Sequence, residues 1–355
     1  MTAGRLMRRR GTRGSVCAAV AAAFVLCAAA STARAQSQTP AQFYHGKTID
    51  MIVGFAAGGG NDVYVRTLGR YIGKYIPGNP AVVVRNMPGA GTFLATNAVY
   101  NTLPRDGTVM ALGSTTLPLD EKFGNPGVRF KTAELNWIGR IAARVDVLMM
   151  WKTSPVQNIQ QALTTPSILA GTTVGSPVVM YPNLLNNVIG TKFKIVRGYE
   201  GTRAALLAME KGEANGNSTG FEALRAIHPD WIKDGTVRVI VQFALKRDPA
   251  LADVPAAVEL GRTPEQTAIL KAVLNSTAVG LAMFTTPGVP ADRLTALRRA
   301  FDATMKDPAF AAELEKQGGD LSPLPGEELQ SLVREVADLP PNLAAKAKSA
   351  YLDVK

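Results

Sequence analysis

The stretch from Thr48 to Asp62, TIDMIVGFAAGGGND, constrains this chain more than any other. Ile49, Ile52 and Val53 read as a short buried strand, and Gly58, Gly59 and Gly60 stop strand and helix alike. Asn61 or Asp62 then caps a helix over 63–72, where Tyr64, Leu68, Tyr71, Ile72 and Tyr75 recur at helical spacing. Strand, glycine turn and helix start bring several backbone N–H groups and the positive end of a helix to one spot. That is a receptor for a small anion such as a carboxylate.

A second copy of the device follows. Residues 81–84 read as a strand, Pro88 to Gly91 as a turn, and 92–100 as a helix. Turns on neighbouring parallel strands would face each other at the carboxyl ends of those strands, where open α/β sheets bind ligands. Nucleotide readings fail on the residues. A phosphate loop needs Lys and Ser/Thr where Gly60 and Asn61 stand, and a dinucleotide fingerprint wants a small residue where Val63 stands. The bland alternative is a glycine-rich connection with no ligand.

The first 35 residues read as an export signal. Arg5, Arg8, Arg9, Arg10 and Arg13 form a basic region, 16–30 is an apolar run, and Ala33-Arg34-Ala35 is a small-x-small cleavage site. The run is shorter than the ~20 residues a spanning helix needs. Cleavage near Ala35 removes Cys17 and Cys27, leaving a thiol-free chain suited to the bacterial periplasm. It also removes six of the 39 basic residues and no acid, so 33 basic residues face 28 acidic ones, a net of +5. No Lys/Arg-rich run or basic–aromatic interleaving survives, which argues against a nucleic-acid partner.

The remaining length suits two domains. A third strand over 108–112 ends at Gly113-Ser114-Thr115-Thr116, whose hydroxyls either meet a ligand or cap the next turn. Strands at 135–139 and 145–151 flank a crossing into a second lobe of alternating strands and helices. There Thr172 to Pro177 is another glycine/hydroxyl turn before a helix over 178–189, again suited to an anion. His228 opens a helical segment, 237–243 is a strand, and a helix lies around 263–275. Residues 277–284 return as a strand to the first lobe, followed by a helical tail. The expected division is 1–35 signal, 36–143 with 277–355 as one lobe, and 144–276 as the other. The expected fold is α/β, a two-lobed periplasmic binding protein of type II-like plan with a hinge and an interlobe cleft.

An enzyme finds little support. After cleavage there is no Cys and only His45 and His228, with no Gly-x-Ser-x-Gly elbow and no metal-spaced cluster, so no cofactor and no metal are expected. The acidic pairs Glu210/Glu213 and Asp120/Glu121 read as solvated surface. Trp137, Trp151 and Trp231 read as core or hinge aromatics, with an aromatic ligand implied should one line the cleft. Arg140 and Arg144, near the hinge, either grip a second carboxylate or pair with a local acid.

Six motifs in consistent order resemble a known family: GFAAGGGND over 54–62, NMPGAG over 86–91, Asp106-Gly107, Gly198 to Gly201, Asp253 to Pro255, and Pro287 to Pro290. They resemble the solute receptors of tripartite tricarboxylate transporters, the Bug family, from about Phe43 onward. The resemblance implies a two-lobed periplasmic receptor that closes on a small organic acid and hands it to membrane permease subunits; a monomer is expected. An exported receptor feeding a sensor kinase is the alternative. Carried over, it implies that Phe55, Ala56, Ala57, Gly58 and Asp62 hold the carboxylate with Gly89, Ala90, Gly91 and Thr92. From the other lobe it points to Gly175, Ser176, Tyr199 and Thr202, while Ser114, at the end of the third strand, is a candidate by its own hydroxyl. The family's acidic residue in a Gly-x-Val-Asp strand is replaced by Asn215, which favours a plain carboxylate over a ligand with an ammonium group. The family's Ser-x-x-His is also missing, since Val179 stands at its last position.

Overall fold

The computed structural model describes residues 1–2, 38–172 and 176–352. The signal region, apart from residues 1 and 2, and Gly175 lie outside them. The fold is a two-lobed α/β binding-protein architecture built on two sheets. The first has the order β11-β4-β10-β3-β1-β2, with β1 Thr48–Val53, β2 Ala81–Asn86, β3 Val109–Leu112, β4 Asn136–Arg140, β10 Ala282–Thr285 and β11 Leu324–Pro325. The second has the order β7-β6-β8-β5-β9, with β5 Asp146–Trp151, β6 Ser167–Ala170, β7 Phe193–Val196, β8 Gly216–Gly220 and β9 Val237–Phe243.

Strands that read as unbroken apolar runs are buried on both faces, as central strands between helical layers must be. Every residue of β3 and β10 is buried. In the first lobe Met51, Val53, Met110 and Met283 pack on one face beside Leu68, Leu297 and Phe301 from the helices. Ile52, Ala111, Trp137 and Phe284 pack on the other, with Leu329 and Val333. The edge strand β2 alternates between exposed and half-buried residues, as an edge strand with one covered face should.

The chain crosses between the two sheets at 141–145 and again at 280–281; a third passage, after Gly326–Ala337, carries the last helix to the second lobe's core. The first two crossings bond to each other: Ile141 N–H donates to Leu281 O and Leu281 N–H to Ala142 O, both at 2.9 Å. The strand expected over 277–284 is shorter. The Pro264–Val279 helix runs through Ser276 and Thr277, whose hydroxyls bond back to the carbonyls of Val273 and Leu274. This self-satisfaction lets both sit buried in a helix. Gly280, at φ +56, ends it.

Two further expectations are corrected. The helix near His228 precedes it: Phe221–Ile227 is helical and His228 caps its end. The residue before a proline is biased away from helical backbone, and Pro229 follows directly. The last helix, Pro341–Leu352, does not pack on the first lobe's sheet. Ala347, Ala350 and Tyr351 join the core formed by the Pro177–Ile189 and Pro264–Val279 helices, where Tyr181 stacks on Phe243 at 4.8 Å. No helix among the described residues is long and apolar enough to cross a membrane.

Candidate functional site

The turns that end β1, β2 and β3 lie side by side because β1 pairs in parallel with both neighbours. Val53 is level with Asn86 and with Leu112, so the three turns leave the sheet at one height.

The first turn is held by Asp62, which is 2% exposed. The helix begins at Gly60 with Gly59 as its cap and no side-chain cap bond, so neither Asn61 nor Asp62 caps it. Asp62 instead reaches back from inside the first turn. Its carboxylate accepts from Gly58 N–H at 2.8 Å, from Arg66 Nε at 2.8 Å and from Asn86 Nδ2 at 2.7 Å. Burial opposes the charged form, but the bonds from Arg66, Gly58 and Asn86 outweigh it and hold the carboxyl below its ordinary range. Asn86 also donates to Phe55 O at 3.0 Å, which ties the first turn to the end of β2. Asp62 is thus a brace whose lone pairs are already engaged.

The second turn is bent by consecutive left-handed residues: Gly89 at φ +151, Ala90 at +46, Gly91 at +65 and Thr92 at +80. Left-handed backbone costs a non-glycine residue roughly 1–2 kcal/mol, so Ala90 and Thr92 need support. Thr92 supplies some itself. Its Oγ1 accepts from Ser114 N–H at 3.0 Å, and its carbonyl accepts from Thr96 Oγ1 at 3.1 Å. Gly54 leaves it room, since a Cβ there would lie 2.7 Å from Thr92 Cβ. Strain maintained in this way points to function. The result is a set of main-chain donors: the amides of Phe55, Ala56, Ala57, Ala90 and Gly91 have no acceptor among the described residues.

These turns border a cleft of about 740 Å³. Phe55, Ala90, Gly91 and Ser114 line it from the first lobe, Arg144 and Asp146 from the hinge side, and Tyr181, Lys348 and Tyr351 from the opposite wall. Ser114 does both things the sequence allowed, bordering the cleft while its Oγ accepts from Thr116 N–H at 3.2 Å. Thr116 Oγ1 in turn donates to Asp120 at 2.7 Å. Asp120 is no solvated surface acid: it lines the cleft, and burial raises its carboxyl against the bonds from Thr116 and Asn125.

The second-lobe residues divide. Ser176 Oγ lies 2.8 Å from Thr172 Oγ1, and its neighbour Pro177 borders the cleft. Tyr199 and Thr202 sit beside β6, with Tyr199 N–H bonded to Gly171 O at 3.3 Å, and neither lines the cleft. Asn215 is not brought together with the rest. Its Oδ1 accepts from Ile168 N–H at 2.9 Å at the start of β6 and β8, the end of those strands opposite the one that meets the first lobe. None of the three tryptophans lines the cleft; Trp137 is core, and Trp151 and Trp231 meet edge-on at 5.1 Å. Arg140 spends its donors on the carbonyls of Ser322 and Ala278 at 3.1 and 2.5 Å. Arg144, exposed at the cleft, makes no hydrogen bond or ion pair among the described residues.

Asp146, Tyr181, Lys348 and Tyr351 escape sequence reasoning. Asp146 starts a β-strand of apolar residues, and periodicity alone carries no signal that its side chain meets a cavity. Among the described residues no His/Cys/Asp/Glu group is arranged to hold a metal.

Known proteins match this architecture. A family model described as the tripartite tricarboxylate transporter family receptor matches residues 75–339. A Cupriavidus necator protein described as "UPF0065 protein in gbd 5'region" is 27% identical over 270 residues, covering 72% of this chain and 75% of its own length. Protein BugT of Bordetella pertussis is 26% identical over 245 residues, covering 65% and 71%. Among solved structures, a solute-binding protein from Polaromonas superposes with a TM-score of 0.67 at 18% identity, covering 85% of this chain and 99% of its own. With the family model spanning most of the chain and the fold that of solved binding proteins, the chain belongs to the tripartite tricarboxylate transporter receptor family.

Proposed function

We propose that the chain is an exported receptor that closes over a small organic acid and delivers it to membrane permease subunits. The observation that carries this reading is the row of main-chain donors without acceptors among the described residues on two adjacent strand ends, two of them on residues held at positive φ. These amides stand in exposed turns, free to meet a guest, and a carboxylate supplies charged acceptors for several of them at once. Two solved neighbours support the class. An R. palustris protein was solved with adipate (TM-score 0.57, 20% identity) and MatC from Rhodopseudomonas palustris with bound malate (TM-score 0.56, 20% identity). Closure turns the lobes about the paired crossings, and the closed form is the one the permease receives. Cleavage near Ala35 places the mature chain in the periplasm.

The test is Gly91→Val. The position has φ +65 and open space around it. The added side chain would stand in the turn where the carboxylate is proposed to sit, at a fold cost of about 1–3 kcal/mol for a β-branched residue at positive φ. Calorimetric titration with a panel of small carboxylic and amino acids is expected to show binding to the wild type and at least tenfold weaker binding to the variant. Unchanged affinity would remove the turns from the site.

A further inference from the structure

Asp146 opens β5 beside the hinge, is 5% exposed, and borders the cleft. No hydrogen bond or ion pair reaches its carboxylate among the described residues; Arg144, two residues earlier, acts on it only at a distance. Burial raises its carboxyl above the ordinary range, and Arg144 only partly offsets this. A buried carboxylate without a partner is expensive, and a cation within hydrogen-bond reach recovers much of that cost.

The surrounding charges sharpen the point. Asp120 faces the same cleft. On the other side of Arg144 a second cavity of about 350 Å³ opens, bordered by Glu222, which is also raised by burial. The cations at the larger cleft are Arg144 and Lys348, and Lys348 already donates to Phe123 O at 2.6 Å. A guest with only negative groups would leave Asp146 uncompensated. A guest that adds an ammonium group would supply what Asp146 lacks while its carboxylate takes the turn amides or Arg144.

We propose that Asp146 is the counter-charge for a cationic nitrogen on the ligand, so that the cleft takes a zwitterionic amino acid in preference to a plain carboxylic acid. This rests on the receptor reading above. It reverses the preference drawn from Asn215, whose side chain is engaged with β6 and away from the cleft.

Calorimetric titration of the purified protein with amino acids and their deaminated counterparts, such as aspartate with succinate and glutamate with glutarate, tests it. At least one amino acid is expected to bind tenfold or more tightly than its deaminated partner. In Asp146→Asn that amino acid should weaken by thirtyfold or more, and the deaminated acid by less than threefold. Binding of plain acids alone, or a preference that survives in Asp146→Asn, would overturn the assignment and leave the receptor reading standing. If neither series binds, both fall. The ligand-free melting temperature checks the fold of the variant, and Asp146→Ser gives the same readout if the amide packs badly.

Discussion

Replacing Gly280 by alanine should damage the hinge more than its size suggests. The residue sits at φ +56 and ψ −149, a region that other residues enter at a cost of about 1–3 kcal/mol. A Cβ added there would lie 2.3 Å from Ala142 O, 2.8 Å from Arg140 Cδ and 3.1 Å from Ala143 Cα. The arginine chain can swing away. The Ala142 carbonyl cannot, because it accepts from Leu281 N–H at 2.9 Å. Overpacking of this kind adds about 1–3 kcal/mol, for a total of about 2–6 kcal/mol. At ~2–4 °C per kcal/mol the melting temperature should fall by about 4–24 °C. Gly235→Ala is the control: its φ is +75, but nothing lies within 4 Å of the added atom, so only the backbone term of roughly 1–2 kcal/mol applies. Thermal unfolding of both variants by circular dichroism decides the matter. If Gly280→Ala melts no lower than Gly235→Ala, the close packing of the two crossings does not support the hinge as described.

Two other perturbations probe the turns. Asp62→Asn keeps an acceptor for Gly58 N–H but loses the charge facing Arg66, and should cost about 1–3 kcal/mol in urea unfolding. Because the native Asp62 carboxyl is depressed, its stabilisation is full above the ordinary carboxylate range and is lost as pH falls through its native value, so the variant should show a flatter acid limb. Thr92→Val keeps the shape but removes the acceptor for Ser114 N–H, and about 1–2 kcal/mol should be lost on thermal unfolding together with ligand affinity measured by calorimetry.

The parallel strand–turn pairs were legible because glycines at strand ends leave few alternatives, and β1, β2 and β3 stand where Ile49 to Val53, the 81–84 run and the 108–112 run place them. The helix through Ser276 and Thr277 was not, because hydroxyl side chains that satisfy themselves on their own helix look like strand residues in a linear reading. Asp62 was recognisable as important but not as a brace, since its partner Asn86 is 24 residues away and joins it only when β1 and β2 pair. Asn215 and Asp146 show the limit most plainly. Both stand at the starts of strands in one sheet, yet β5 runs antiparallel to β8, so the start of one faces the cleft and the start of the other faces away.

The reciprocal bonds between the crossings make them a two-stranded ribbon, continuing the antiparallel pairing of β4 with β10. A ribbon bends and twists easily but resists sliding, which would break both bonds at once. At this ribbon, the link between the lobes is soft in swing and stiff in shear. If the lobes close on a guest as proposed, whatever the second lobe presents would meet the first-lobe amides in one alignment, and discrimination between guests would be written as position.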